Sequence, residues 1–329
     1  MNRILTDNEL KPFLEGSGFS ANARALLAQQ RIHFPLAAKF YGSLDTVQEK
    51  SFTIDGTAVR VQFNPARIQS SAAKVDAKSI SERKCFLCEA HLPIEQKGLS
   101  FGSDYMVLVN PFPIFPEHFT VPHLTHTDQR ISGKVGDFLA LADLLSEFVI
   151  FYNGPKCGAS APDHFHFQAG NKGFIPLETE FESILNESEA VFKKEQTDIY
   201  HIKPFGANGI AFVSDNIRSI EDAFEKAYNY LSEKSPEEAE PMMNLLGWKW
   251  QDKFVLTLFP RKLHRPSQFF AEGDSNILLS PAAVDLGGVF ITPLEKDFTK
   301  ITADDLSDIL SQILISDEEM AELCNSIAK

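Results

Sequence analysis

Near the middle of the chain five residues alternate between polar and aromatic, His164-Phe165-His166-Phe167-Gln168. Alternation with a period of two marks a strand with one buried face. On such a strand His164, His166 and Gln168 fall on one side, and Phe165 and Phe167 fall on the other. Residues on one side stand roughly 6.5–7 Å apart. The stretch therefore requires a sheet, and a core beneath it to receive the phenylalanines. It also sets two imidazoles and a carboxamide in a row, at a spacing suited to one phosphate. The loop in front runs from Asn153 to Ser160 and carries Gly154, Lys156 and Gly158. Its backbone N–H groups can cradle an anion, with Lys156 as a point charge. Asn153 suits an anchor for this loop. An isolated H-x-H would be satisfied equally by a half-buried strand with two hydrogen-bonded histidines; the loop and the cysteines described next point beyond that reading.

Four cysteines occur, Cys85, Cys88, Cys157 and Cys324, and the first two form a C-x-x-C. This is no secreted disulfide framework, and in a reducing compartment the pair reads as a metal site or a redox pair. Six histidines follow it, up to and including His166. Two cysteines with two histidines are a common tetrahedral zinc set. The separation is too long for a zinc finger, so such a site would tie separate strands together. Cys157 suits a small loop filler.

The formal net charge of −14 argues against a nucleic-acid-binding surface. An anionic substrate would need positive charge gathered locally, and the densest basic stretch holds Arg67, Lys74, Lys78, Arg83 and Lys84. Arg261, Lys262 and Arg265 follow a strand end and could also reach a phosphate. No apolar run is long enough to span a bilayer, and the first residues lack the apolar stretch of a signal peptide. A cytoplasmic location is the expectation.

In chain order, residues 1–50 are expected to be a helical segment, with a helix over 23–30 ended by Phe34-Pro35. Residues 52–54 and 58–63 read as a hairpin turning at Asp55-Gly56. A strand over 105–109 leads into a proline-rich extended connection, and a short strand over 118–121 follows. Helical spacing of Phe138, Leu141, Leu145 and Phe148 predicts a helix over 134–148. Beyond Gly173 the acidic stretch reads as connecting loop and helix. Strands are expected over 209–213, 242–250, 254–259 and 287–291, and helices over 219–231 and 304–314. Residues 235–241 read as a polar linker. The recurrence of strands and helices in both halves hints at duplication, with the H-x-H in the first half alone.

Together these residues resemble the histidine triad superfamily. Residues 158–168 resemble its transferase branch, in which the third histidine of H-x-H-x-H is replaced by Gln. That branch holds galactose-1-phosphate uridylyltransferase, diadenosine tetraphosphate phosphorylase and the GDP-hexose phosphorylases. His164-Phe-His-Phe-Gln-Ala169, Asn244-Leu-Leu-Gly247, Leu258-Phe-Pro260 and the 280–288 stretch are most similar to the GDP-L-galactose phosphorylases. Asn64-Pro-Ala-Arg67 and the cysteine segment lean toward the other two.

The resemblance implies an α+β fold of two histidine-triad-like units, each an antiparallel sheet packed by helices. The corresponding division is 1–50 helical, 51–175 catalytic with the metal site, and 176–329 a second unit without the nucleophile. It implies structural zinc held by Cys85, Cys88, His126 and His164, with His123 in place of His126 if the loop differs. It implies His166 as nucleophile and Gln168 as hydrogen-bond donor to the phosphate. Asn153, Lys156, Gly158, Ser160 and Arg67 would bind the nucleotide phosphates.

A neutral imidazole can attack an α-phosphorus and carry the nucleotidyl group covalently. Gln168 cannot titrate, so the site suits leaving groups that need no proton, such as a sugar phosphate. The expected activity is nucleotidyl transfer from a nucleoside-diphosphate sugar of the GDP-hexose or UDP-hexose type, to inorganic phosphate or a sugar phosphate. A dinucleoside polyphosphate phosphorylase is the alternative with the same chemistry. A zinc-stabilised nucleotide-binding protein without turnover is the alternative of another class. A homodimer is compatible with each.

Overall fold

The hairpin at Asp55-Gly56 forms as read. In the computed structural model, which describes residues 3–68, 77–194 and 197–328, strands β1 (Gln48–Ile54) and β2 (Thr57–Phe63) pair antiparallel. Asp55 and Gly56 take φ of 48° and 80°. Positive φ at both positions is what a two-residue turn needs to follow the strand twist. A third strand, β13 (Val289–Thr292), joins β2 in parallel, so residues from the far end of the chain complete this small sheet. The first residues are helical as expected, with helices Phe19–His33 and Pro35–Gly42 meeting at Phe34.

The remaining strands make one ten-stranded sheet, antiparallel throughout. They are β3 (Gly98–Phe101), β4 (Tyr105–Val109), β5 (His118–Pro122), β6 (Phe148–Asn153), β7 (His166–Asn171), β8 (Glu189–Lys194), β9 (Thr197–Ile202), β10 (Gly209–Ser214), β11 (Met243–Trp250) and β12 (Lys253–Pro260). Their order is β3-β4-β5-β7-β6-β11-β12-β10-β9-β8. Strands of residues 98–171 form one half and strands of residues 189–260 the other. The halves fuse where β6 pairs with β11, Asn153 opposite Asn244. The seam thus lies at the end of the loop that precedes His166.

Alternation along each strand divides two cores. Phe148, Ile150 and Tyr152 of β6 pack on the face covered by helices Phe19–His33, Val135–Leu144, Ile217–Lys234 and Asp317–Ala328. Val149 and Phe151 pack on the other face, under the small sheet and helix Ala303–Ile313. Phe165 and Phe167 belong to the helix-covered core. His166 and Gln168 therefore face the other way, toward the small sheet. Trp248 and Trp250 both receive the edge of Phe181, at 5.0 and 5.2 Å, and serve packing.

Several elements differ from the sequence reading. The helix expected over 134–148 ends at Leu144, and Phe148 begins β6. Strand β6 is buried on both faces, so it shows no polar alternation. The acidic stretch after Gly173 holds β8 and β9 as well as helices, and β8 is the outer edge of the large sheet. Charged residues suit an edge strand because they discourage pairing with another chain. Residues 235–241 are not a freely solvated linker, since Glu240 is buried and accepts from Ile131 N–H and the Tyr152 and Tyr228 hydroxyls. Among the described residues no helix is long and apolar enough to cross a membrane.

Candidate active site and metal centre

Strand β7 begins at His166, so the expected row of three polar residues on one strand is broken. His164 lies in the turn before β7, where its N–H donates to the Ala161 carbonyl. Its ring turns toward the cysteines, while His166 and Gln168 line a cavity of about 320 Å³. Gly158, Ser160, Asn153 and Arg67 line the same cavity. Lys156 is elsewhere: its ammonium pairs with Glu238 at 2.6 Å, outside the lining. Lys78 is on the surface beside Glu82, and Lys74 lies outside the described residues. Arg83 is spent on Asp163, at 2.6 Å, and so pins the loop that carries Ser160.

The His166 ring is held in one tautomer. Nδ1 donates to the His164 carbonyl at 2.9 Å, which leaves Nε2 with its lone pair. Burial pushes the ring's pKa down to about 4, so it is neutral near pH 7. The Gln129 carboxamide bridges the place where β6 and β7 part. It accepts from His166 N–H at 2.8 Å and donates to the carbonyls of Asn153 and His166 at 3.1 and 3.0 Å.

Gln168 is oriented from behind by a residue the sequence did not single out. His118 Nδ1 accepts from Ile114 N–H at 3.1 Å, so Nε2 carries the proton and donates to Gln168 Oε1 at 3.1 Å. Asn110 Nδ2 approaches the same oxygen at 3.4 Å. With its oxygen taken, the Gln168 carboxamide has its N–H₂ left for the cavity. Burial, with Arg67 nearby, pushes the His118 pKa down to about 3. Arg67 donates to the Phe112 carbonyl at 2.7 Å, and burial lowers its pKa to about 10, which leaves it cationic.

The loop 153–160 is locked to the second half of the chain. Asn153 Oδ1 accepts from Asn244 Nδ2 and from Ala283 N–H, both at 2.8 Å. Asn244 also donates to the Cys157 carbonyl and accepts from Arg261 at 3.0 Å. Gly158 has φ of +96°, and a Cβ there would lie 2.6 Å from Ala282 Cβ. Only glycine fits at this crossing.

Much of the cavity wall is apolar, with Phe34, Leu36, Phe86, Leu92, Leu108 and Phe112 in its lining. Two of these come from the N-terminal helical segment, which the sequence reading left without a part in the site. His264, Arg265 and Ser280 of the second half also line it.

Beside this cavity, Cys85, Cys88, His126 and His164 bring their ligand atoms within 4.8 Å of one another. Cys85 Sγ is 3.2 Å from His164 Nδ1, Cys88 Sγ is 3.2 Å from His126 Nδ1, and Cys88 Sγ is 3.6 Å from His164 Nδ1. Bond lengths of about 2.3 Å to sulfur and 2.0–2.1 Å to nitrogen give tetrahedral edges of roughly 3.3–3.8 Å. The cluster could therefore hold a metal ion. His123 lies outside it and serves from behind, its carbonyl accepting from His164 Nε2 at 2.7 Å. That bond fixes Nδ1 as the ligand atom. The thiols also fit a cation. Burial works to raise Cys85, but the hydrogen bond from His164 brings it down to about 6; burial and the neighbouring Cys85 push Cys88 up to about 11. Two adjacent thiols can both ionise only if positive charge is placed between them.

Fold and motif together define the class: the chain has the histidine-triad-like fold and resembles that superfamily's transferases. Residues 181–329 match a family model described as a GDPGP1-like C-terminal domain, and residues 26–171 match a domain of unknown function, DUF4922. Diadenosine 5',5'''-P1,P4-tetraphosphate phosphorylase 2 of Saccharomyces cerevisiae is 27% identical over 170 residues, covering 46% of this chain. The match spans about half the length of that curated relative, 52%. The crystal structure of yeast Ap4A phosphorylase Apa2 superposes with a TM-score of 0.53 at 16% identity, covering 87% of this chain and 94% of that one. The same enzyme in complex with Ap4A gives 0.52 at 15% identity, covering 85% and 96%.

Proposed function

We propose that the chain is a nucleotidyltransferase of the phosphorylase type, acting on a nucleoside-diphosphate sugar through a nucleotidyl-His166 intermediate. The observation that carries this is the His166 tautomer: Nδ1 is spent on a carbonyl, and the neutral Nε2 is left for an incoming phosphorus. Nε2 attacks the α-phosphorus, a P–N bond forms, and the bond to the bridging oxygen breaks. The leaving group departs as a phosphate monoester anion and needs no proton. A phosphate oxygen then attacks the adduct, the P–N bond breaks, and the electron pair returns to Nε2. Gln168 donates its N–H to a non-bridging oxygen as charge develops there, and the Gly158–Ser160 backbone and Arg67 hold the phosphates. The apolar part of the cavity lining suits the base. Zinc bound by Cys85, Cys88, His126 and His164 would be structural, since four protein ligands leave no site for water. The reading carries a cytoplasmic location, where the C-x-x-C stays reduced.

A second reading, phosphorolysis of a dinucleoside polyphosphate, is favoured by the match to the Ap4A phosphorylases. A panel of GDP-hexose, UDP-hexose and diadenosine tetraphosphate, each with and without inorganic phosphate, separates the two. Under either reading, α-labelled substrate alone should label the protein, with a bond that is acid-labile and stable to base. His166→Ala should lose both labelling and turnover. An active His166→Ala enzyme, or the absence of any adduct under rapid quench, would leave a nucleotide-binding protein without turnover.

A further inference from the structure

Part of the cavity wall is built by the second half of the chain. His264, Arg265 and Ser280 stand there, in the same lining as His166 and Gln168. Arg265 is held in place: its Nε donates to Ser280 Oγ at 3.2 Å, and its guanidinium lies over the Phe269 ring, 4.1 Å from the centroid. This uses one edge and one face of the guanidinium and leaves its terminal N–H groups for a ligand. The segments that carry these residues are fastened by one buried cation. Arg261 donates to the carbonyls of Leu263 and His264 at 3.1 and 2.7 Å, and to that of Pro281 at 2.6 Å. Arg261 is thus a structural tie between the 263–265 turn and the 280–282 segment, with both terminal nitrogens of its guanidinium engaged by the protein.

The electrostatics agree. Burial, together with Arg265, Arg261 and Lys156, pushes the His264 pKa down to about 4. A neutral imidazole there can donate a hydrogen bond to an anion held by Arg265, which shares the lining. The carboxylate in the lining, Asp285, is turned to the backbone, where it accepts from the N–H groups of Ala282 and Ile291. In a chain of net charge −14 the Arg265 guanidinium is a local positive charge in the cavity wall, while Lys156 is paired with Glu238.

We infer that His264, Arg265 and Ser280 form an anion subsite that receives the phosphate of the leaving group and then the inorganic phosphate that replaces it. The inference rests on the phosphorylase reading, because it assigns the subsite to the leaving group and the phosphate acceptor of that reaction. One site serves both because the forward leaving group and the incoming acceptor occupy the same side of the phosphorus.

The test uses the full-length protein and inorganic phosphate as probe. Phosphate binding is measured by titration followed by NMR, for the wild type, Arg265→Gln, Arg265→Lys and Ser280→Ala. The phosphate KM is measured in the half-reaction from isolated adduct. Arg265→Gln should weaken phosphate in both measurements by at least tenfold, the loss of one charge-assisted hydrogen bond. Arg265→Lys should recover part of it, and Ser280→Ala should fall between. Affinity for the nucleoside monophosphate should change by less than about twofold, since that ligand ends at the α-phosphate. If the adduct forms and turns over with an unchanged phosphate KM in Arg265→Gln, the subsite is overturned. If no adduct forms but phosphate binds in an Arg265-dependent way, the subsite stands and the phosphorylase reading fails. If phosphate binds equally to wild type and Arg265→Gln, the subsite is again overturned.

Discussion

His118 shows how much of the site is set by a residue outside the cavity lining. Its ring has one acceptor nitrogen, taken by Ile114 N–H, so the other must donate, and it donates to Gln168. The carboxamide of Gln168 is thereby prevented from flipping. Gln168→Ala should slow adduct formation by about 10²–10³-fold, the usual loss for one transition-state donor, while sparing nucleotide binding. His118→Gln should slow the same step by a smaller factor, on the order of ten- to a hundredfold, as for groups that orient a functional side chain from behind. The pH dependence of stability offers a readout apart from activity. The His118 pKa is lowered on folding, from 6.5 to about 3. Its contribution is therefore complete above pH 6.5 and is lost as pH falls toward 3, at up to about 1.4 kcal/mol per pH unit. Urea denaturation across that window should show a shallower fall for His118→Gln than for the wild type. Parallel curves would mean that the ring is charged or exposed in the folded protein.

At the scale of elements, the site is a meeting of strand ends. Strands β6 and β7 separate where Gln129 bridges them, and β11 comes alongside β6 so that Asn244 can reach Asn153 and the Cys157 carbonyl. Asn244→Leu keeps the volume but strips partners from Asn153, the Cys157 carbonyl and Arg261. Each buried polar group left short costs about 1–3 kcal/mol. Asn153 and Arg261 keep other bonds, so the total should be about 2–4 kcal/mol, read as a lower urea midpoint with an unchanged slope. No loss of stability would mean that the two halves are not coupled through this network. This coupling also explains what the sequence could and could not convey. The alternation of residues 164–168, the Asp55-Gly56 turn and the C-x-x-C carry local chemistry, so they were legible. Strand β6 is apolar on both faces, and β8 is charged because it is an edge; neither shows a period of two. The row of three polar residues failed because His164 is drawn off the strand by the cysteines. Lys156 read as a phosphate ligand by proximity in sequence, yet Glu238, 82 residues away, takes its charge. The parts played by Asn244, Arg261 and Phe34 depend on which strands become neighbours, and no local pattern encodes that.

Over the whole molecule, the metal cluster and the cavity are joined by Phe165, the single residue between His164 and His166. The cluster draws in Cys85 and Cys88 from before β3, His126 from after β5 and His164 from before β7. These segments share a core of only a few residues, Cys85, Leu87 and Ala161 with Cys88 against it. So small a cluster buries little apolar surface, and a bound ion would supply much of what holds the segments together. His164 would then fix the carbonyl on which the His166 tautomer depends. Protein purified without chelator should contain about one equivalent of zinc. Cys88→Ser should lower that content sharply, reduce stability by several kcal/mol and slow adduct formation. With the metal structural as proposed, the slowing should arise from a looser His166. Zinc added back to chelator-stripped wild type should restore stability and adduct formation together. Less than about a tenth of an equivalent of zinc or iron in folded, stable wild-type protein would remove the metal from the account. It would leave the Cys85–His164 hydrogen bond as the tie that sets the entry to β7.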